Sequence, residues 1–242
     1  MSLTIVGLGP GATDLVAPRA QAALDAATDI IGYGPYLDRV PARPGQVRHA
    51  SDNRVELDRA RHALTLAAAG HRVAVVSAGD PGVFGMAAAV FEVVEAHAPF
   101  AAIPIEVVPG ISALLAAAAR LGAPLGHDFA AISLSDNLKP WPVVLDRLRA
   151  AAGAGFVLAL YNPLSRARPW QLGAAFDALR AVLPSVTPVA FATAISRADE
   201  RTHVTTLAEA DAARADMRTL VMVGTAATRM VGPWLYTPRS AA

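Results

Sequence analysis

Asp80 is the residue whose setting points most directly to chemistry. It stands in Ser77-Ala78-Gly79-Asp80-Pro81-Gly82-Val83-Phe84-Gly85, straight after Arg72 and the apolar, valine-rich residues 73–76. A buried parallel strand needs such a run, and open α/β sheets place their ligands at strand carboxyl ends. One carboxylate among glycines suits a ligand with hydroxyls, an amine or a positive centre, and suits a phosphate poorly. Two further turns have the same form. Gly7-Leu8-Gly9-Pro10-Gly11-Ala12 follows the apolar residues 3–6, and Val108-Pro109-Gly110-Ile111-Ser112-Ala113 follows residues 104–107. The first satisfies a permissive dinucleotide pattern. However, Pro10 removes a backbone donor, the next helix starts near Pro18, and Gly32-Tyr33 offers no carboxylate for a ribose. Ser112 can cap its helix or meet a ligand.

The second half carries its own polar strand ends. Ser133-Leu134-Ser135-Asp136-Asn137-Leu138-Lys139 combines hydroxyls, a carboxylate and an ammonium, with His127 just before that strand. Tyr161-Asn162-Pro163 ends another strand, and Arg166 and Arg168 follow it. Asn162 precedes a proline, which predicts an extended backbone there.

These residues need elements to hold them. Strand and helix patterns alternate, which predicts an α/β architecture. Strands are expected at 3–7, 28–32, 72–77, 104–108, 129–134, 156–161, 187–193 and 219–223. Helices are expected at 17–26, 54–69, 86–97, 112–121, 141–151, 170–183 and 208–214. Pro18 suits a first helical turn, Asn53 with Glu56 reads as a capping box, and residues 202–206 read as an antiparallel edge strand. Gly122, Pro124 and Gly126 supply a flexible connection, which predicts domains of 1–122 and 123–242.

Composition narrows the classes. The chain has 242 residues, 54% of them hydrophobic and 17% charged, with a net charge of +1. That balance disfavours a nucleic-acid binder working through counterion release. Apolar stretches are short, so no membrane span is indicated, and no basic leader precedes the first strand. Without cysteine there are no disulfides and no thiolate metal sites. The histidines at 49, 62, 71, 97, 127 and 203 lack ligand spacing, so no metal is expected. Lys139 is the single lysine among 21 basic residues, which fits base composition and also fits arginine recognition of carboxylates.

Gly7-Leu-Gly-Pro-Gly11, Gly79-Asp80-Pro81 and Val108-Pro-Gly-Ile-Ser112, in this order, resemble the tetrapyrrole (corrin/porphyrin) methylases. The resemblance extends along nearly the whole chain. It is narrowest to a branch that both methylates and contracts the macrocycle in cobalamin synthesis, through residues 32–36, 51–54, 77–86, 119–135 and 161–163. It implies two α/β/α domains flanking a ligand cleft, S-adenosyl-L-methionine as methyl donor, a tetrapyrrole substrate, and a cytoplasmic homodimer. By position, cofactor contacts would come from Pro10, Ala78, Gly79, Asp80, Val83, Ser112, Ala113, Tyr161, Asn162 and Ala192. The ring contraction that the resemblance implies needs protons moved, for which Asp52, His127 and Asp136 are the acid–base candidates, and the polycarboxylate substrate that it implies makes Arg54, Arg166 and Arg168 the candidates for gripping carboxylates. Ala78 departs from the serine or glycine of relatives, and Asn137-Leu138-Lys139 departs from their usual leucine and threonine. A nicotinamide dehydrogenase and a non-catalytic two-lobed ligand-binding protein are the readings from other classes.

Overall fold

The computed structural model describes residues 1–240, and the chain divides into two compact units, the first Met1–Ser112 and the second beginning at Ala113. The first unit holds β1 (Ser2–Gly7), α1 (Pro18–Ala26), β2 (Asp29–Tyr33), α2 (Gly34–Leu37), β3 (Val47–Ser51), α3 (Glu56–Ala68), β4 (Arg72–Ser77), α4 (Met86–Ala96) and β5 (Ile105–Val108). Its sheet runs β3-β2-β4-β1-β5 with every pairing parallel. Ile5 faces Val75 and Val6 faces Val76 across the central pair. Two clusters cover the two faces. Leu3, Ile5, Val73 and Val75 pack with α3 and α4 on one. Val6, Ala74 and Val76 pack with Ala20 and Leu24 of α1 on the other. Burial on both faces explains why β1 and β4 read as continuous apolar runs rather than alternating ones.

The second unit holds α5 (Ala113–Leu121), β6 (Gly122–Ala123), β7 (Phe129–Ser133), α6 (Trp141–Gly153), β8 (Val157–Tyr161), α7 (Gln171–Arg180), β9 (Pro188–Thr193), β10 (Arg201–Thr206), β11 (Thr219–Val223), β12 (Arg229–Val231) and β13 (Trp234–Tyr236). Its main sheet runs β10-β9-β11-β8-β7, with β7 parallel to β8 and β10 and β11 antiparallel to their neighbours. Leu134, Leu148, Leu160 and Phe176 fill the core toward α6 and α7. Leu114 and Ala117 of α5 pack on the other face against Ala159, Ala190 and Leu220. That packing assigns α5 to the second unit, whereas the division expected at residue 122 kept it with the first. No helix among the described residues is long and apolar enough to cross a membrane.

Several local expectations change. The capping box at Asn53 does not form. Val55 is the residue before α3, and Asn53 Oδ1 instead accepts the Arg54 N–H at 3.0 Å. The alanine-rich stretch 208–214 yields only a short 3₁₀ turn over Ala212–Arg214, which Asp211 opens as its cap by accepting the Ala213 N–H. Residues 201–206 do form the edge strand, and Pro18 does open α1. β3 has the sequence Val-Arg-His-Ala-Ser and lies at the sheet edge with mixed exposure, so no apolar run announces it.

Candidate active site

In the first unit the loops leaving β1, β4 and β5 meet backbone to backbone. Leu8 N donates to Ser77 O at 2.9 Å, and Gly9 and Gly79 exchange hydrogen bonds at 3.2 and 2.9 Å. A β-carbon on Gly7 would lie 2.6 Å from Gly110 N and 2.8 Å from Gly79 O. Three chains can approach this closely only where each lacks a side chain. Asp80 braces the group. Its Oδ1 accepts the Gly82 N–H at 2.8 Å and its Oδ2 accepts the Gly110 N–H at 3.1 Å. The carboxylate thus ties the β4 loop to the β5 loop through charge-assisted bonds. Pro10, Ala78, Gly79, Asp80 and Val83 are all partly exposed around this knot. Ser112 is buried at the end of the β5 loop.

Two arginines that the sequence did not single out hold the neighbouring segments. Arg39 Nη2 donates to the carbonyls of Leu8 at 2.6 Å and Gly9 at 3.0 Å, clamping the first glycine loop from α2's side. Arg59, on α3 and 5% exposed, donates Nε to Ser51 Oγ at 2.7 Å and Nη2 to the Asp52 carbonyl at 2.6 Å. Burial pulls its pKa below the usual arginine value. Asp52 and Arg54 are exposed in the loop that Arg59 secures, and Arg54 has a left-handed φ of 67°.

At the carboxyl end of the second unit's parallel strands, Ser133 Oγ accepts Asn162 Nδ2 at 2.9 Å and Ser135 N at 3.3 Å. Asn162 is not extended. Its φ is 52°, a left-handed conformation that asparagine tolerates better than most residues. Asp136 is partly exposed, and Gln171 Nε2 lies 3.2 Å from each of its oxygens. Arg168 Nη1 donates to the Asn162 carbonyl at 3.3 Å, while Arg166 is exposed in the same loop. Tyr161 Oη accepts the Leu114 N–H at 3.0 Å and so fixes the first turn of α5, where Ala113 stands. Burial, and then the charge of Arg147, lower the pKa of Lys139.

Some sequence candidates lie apart from these clusters. His127 precedes β7, at the strand end opposite Asp136, and its Nδ1 accepts the Asp128 N–H at 2.8 Å. Ala192 sits inside β9 at 1% exposure, packed with Ala159, Ala190 and Leu220. The described structure therefore gathers Gly79, Asp80 and Pro10 in one unit, and Ser133, Asp136, Tyr161 and Asn162 in the other. Arg39, Arg59 and Gln171 had no motif to mark them. Arg39 lies in the turn after α2, and Arg59 and Gln171 sit on helices, where a polar residue ordinarily faces water.

The family described as Tetrapyrrole (Corrin/Porphyrin) Methylases matches residues 2–211. A Sinorhizobium protein named precorrin-3B C(17)-methyltransferase is 57% identical over 244 residues, covering 98% of this chain and 96% of that one. A Salmonella typhimurium protein named probable cobalt-factor III C(17)-methyltransferase is 41% identical, covering 98% of each chain. A solved structure of the methyltransferase CobJ superposes with a TM-score of 0.96 at 54% identity, covering 98% of this chain and 99% of that one.

Proposed function

The chain belongs to the tetrapyrrole (corrin/porphyrin) methylases, and we propose that it methylates carbon 17 of precorrin-3B and contracts the ring to precorrin-4 in cobalamin biosynthesis. The observation that carries this reading is 57% identity along almost the full length of both chains to the relative of that name. S-adenosyl-L-methionine supplies an electrophilic methyl group on a sulfonium, and S-adenosyl-L-homocysteine is its product. The residues present fit that donor. No lysine or arginine occurs in residues 7–12, 77–85 or 108–112, so the loops carry no cationic side chain of their own, and the Arg39 guanidinium beside the first loop is bound to the Leu8 and Gly9 carbonyls. A β-carbon on Gly82 would meet only Asp80 Oδ1, at 3.2 Å, which leaves room beside the carboxylate.

In this reading Pro10, Ala78, Gly79, Asp80, Val83, Ser112, Ala113, Tyr161 and Asn162 hold the donor, while Ala192, buried inside β9, is a donor contact by the family resemblance alone. Displacement at a methyl carbon needs no metal and depends on alignment, and holding two reactants in line supplies much of a rate enhancement. Asp80 acts as a brace and anchor rather than as a base, since it already accepts two backbone N–H groups. Arg54, Arg166 and Arg168 grip the substrate's carboxylates, and Asp52, His127 and Asp136 are the candidates for moving protons during contraction. The enzyme works as a cytoplasmic homodimer.

A second reading, methylation of the cobalt-containing counterpart, is favoured by the 41% identical relative named for cobalt-factor III. Incubation with labelled S-adenosylmethionine and either precorrin-3B or its cobalt counterpart decides between them. Labelled precorrin-4 is the expected product, and absence of label from both substrates would refute methyl transfer. A non-catalytic ligand-binding protein would bind S-adenosylhomocysteine without any turnover.

A further inference from the structure

We infer that Asp136, steered by the buried amide of Gln171, is the group that exchanges a proton with the substrate during ring contraction, an inference that rests on the function proposed above. Geometry separates the three acid–base candidates. His127 precedes β7 and Asp136 follows it. At about 3.3 Å per residue, the five-residue strand sets them on the order of 17 Å apart. Asp136 thus shares the strand ends with Tyr161 and Asn162, and His127 does not. Asp52 is exposed, and the buried Arg59 holds its carbonyl rather than its carboxylate.

Asp136 alone has a polar residue built against its carboxylate. Gln171 opens α7 at 1% exposure, and its Nε2 stands 3.2 Å from both Asp136 oxygens. Its Oε1 is buried without a hydrogen-bond partner. A buried carbonyl left unmatched is costly, and in a folded protein it calls for an explanation such as a catalytic role. Here the explanation is the second protonation state. When the carboxylate takes a proton, a substrate X–H bond breaks and its electron pair stays on the substrate. An Asp136 O–H bond forms. The amide then turns so that Oε1 accepts that O–H. One glutamine therefore stabilises the ionised form through Nε2 and the protonated form through Oε1. The charged groups on the elements around it are Lys139 in the same loop, Arg147 on α6, and Arg166 and Arg168 before α7.

The test follows methyl transfer and contraction separately, using substrate carrying ¹³C at the carbon that becomes an acetyl carbonyl. Asp136→Asn is expected to lower contraction relative to methyl transfer on the order of 100-fold, the usual scale for losing an acid–base group. Gln171→Leu is expected to slow contraction about tenfold and to move the limb of its pH–rate profile. Gln171→Glu is expected to move that limb upward, because two adjacent carboxyls share one proton. Affinity for S-adenosylhomocysteine and melting temperature, measured on each variant, report folding. Contraction at the wild-type rate in Asp136→Asn overturns the inference, and so does equal loss of both steps. A slower Gln171→Leu enzyme with an unmoved pH profile reduces Gln171 to packing and overturns its part. Wild-type protein inactive on both precorrin-3B and its cobalt counterpart would instead refute the function itself.

Discussion

Replacing Gly7 with alanine tests the contact on which the candidate donor site is built. The new β-carbon would lie 2.6 Å from Gly110 N, 2.8 Å from Gly110 Cα and 2.8 Å from Gly79 O, where ordinary contacts begin near 3.4 Å. The overlap is about 0.6–0.8 Å against three backbone atoms, none of which can swing aside as a side-chain tip would. Overpacking of this kind costs about 1–3 kcal/mol, and rigid neighbours place this site toward the upper end. For a unit the size of Met1–Ser112, with roughly 4 °C or more per kcal/mol, the melting temperature should drop on the order of 8–12 °C. Affinity for S-adenosylhomocysteine should fall at least about tenfold, equivalent to ~1.4 kcal/mol. Gly173→Ala is the control. It lies within α7 with nothing within 4 Å of its β-carbon, and alanine there should stabilise by about 0.5–1 kcal/mol. Scanning calorimetry with and without S-adenosylhomocysteine reads both effects. A Gly7→Ala protein that melts within about 2 °C of wild type and binds as tightly would refute the three-loop knot.

Asp80→Ala removes the acceptor of two backbone N–H groups. With bonds to a charged group worth about 1.5–3 kcal/mol each, S-adenosylhomocysteine affinity should fall tenfold or more by titration calorimetry, and unchanged affinity would sink the brace. At the amino end of the first sheet, Asp29 is 2% exposed and meets His49 Nε2 at 2.8 Å and His71 Nδ1 at 2.7 Å. Burial alone would raise its pKa, but hydrogen bonds from His49, Thr28 and His71, with the charge of His71, hold it below the ordinary carboxylate value. Its stabilisation is therefore complete above about pH 4 and lost as pH falls through the folded pKa. Denaturant midpoints of Asp29→Asn should show a shallower acid limb than wild type, and identical limbs would count against this. Arg59→Met should loosen residues 51–54, seen as faster hydrogen exchange at Asp52 and Asn53 with little change in β1.

Legibility in the sequence follows burial. β1 and β4 are readable because both faces are covered, whereas β3 is an edge strand with a histidine and an arginine in its five residues. The glycine loops are readable for a different reason, since close backbone approach leaves glycine as its trace. Asn162 shows the limit of a local rule. The restraint imposed by Pro163 predicts an extended residue, yet the hydrogen bonds through Asn162 Nδ2 and its carbonyl accompany a left-handed one. Arg59 shows another limit. A helical arginine directly after Leu57 and Asp58 reads as surface, and only the tertiary fold turns it inward onto Ser51 and Asp52. Asn53 and Glu56 had capping spacing, but helix α3 starts later and the side chain serves its own loop instead.

Backbone strain is distributed unevenly between the two ends of the sheets. Just before β3, β4 and β8, at their amino ends, the left-handed positions are filled by Gly45, Gly70 and Gly155. Beyond the carboxyl ends, Gly9 after β1 and Gly79 after β4 are left-handed too, but so are the non-glycine residues Arg54, Phe84, Asn162, Ala194 and Ser196 after β3, β4, β8 and β9. A side chain in that region costs about 1–2 kcal/mol relative to glycine, so a requirement for the side chain itself explains why these loops keep them. Phe84 gives the clearest test, because it is 52% exposed. Phe84→Gly should leave stability unchanged or raise it by up to about 1 kcal/mol, the relieved strain being partly offset by the entropy of glycine. The same variant should turn over substrate more slowly. If Phe84→Gly were instead destabilised by more than about 1 kcal/mol with activity intact, its φ of 53° would be a packing feature. The uneven strain would then say nothing about where the chemistry is.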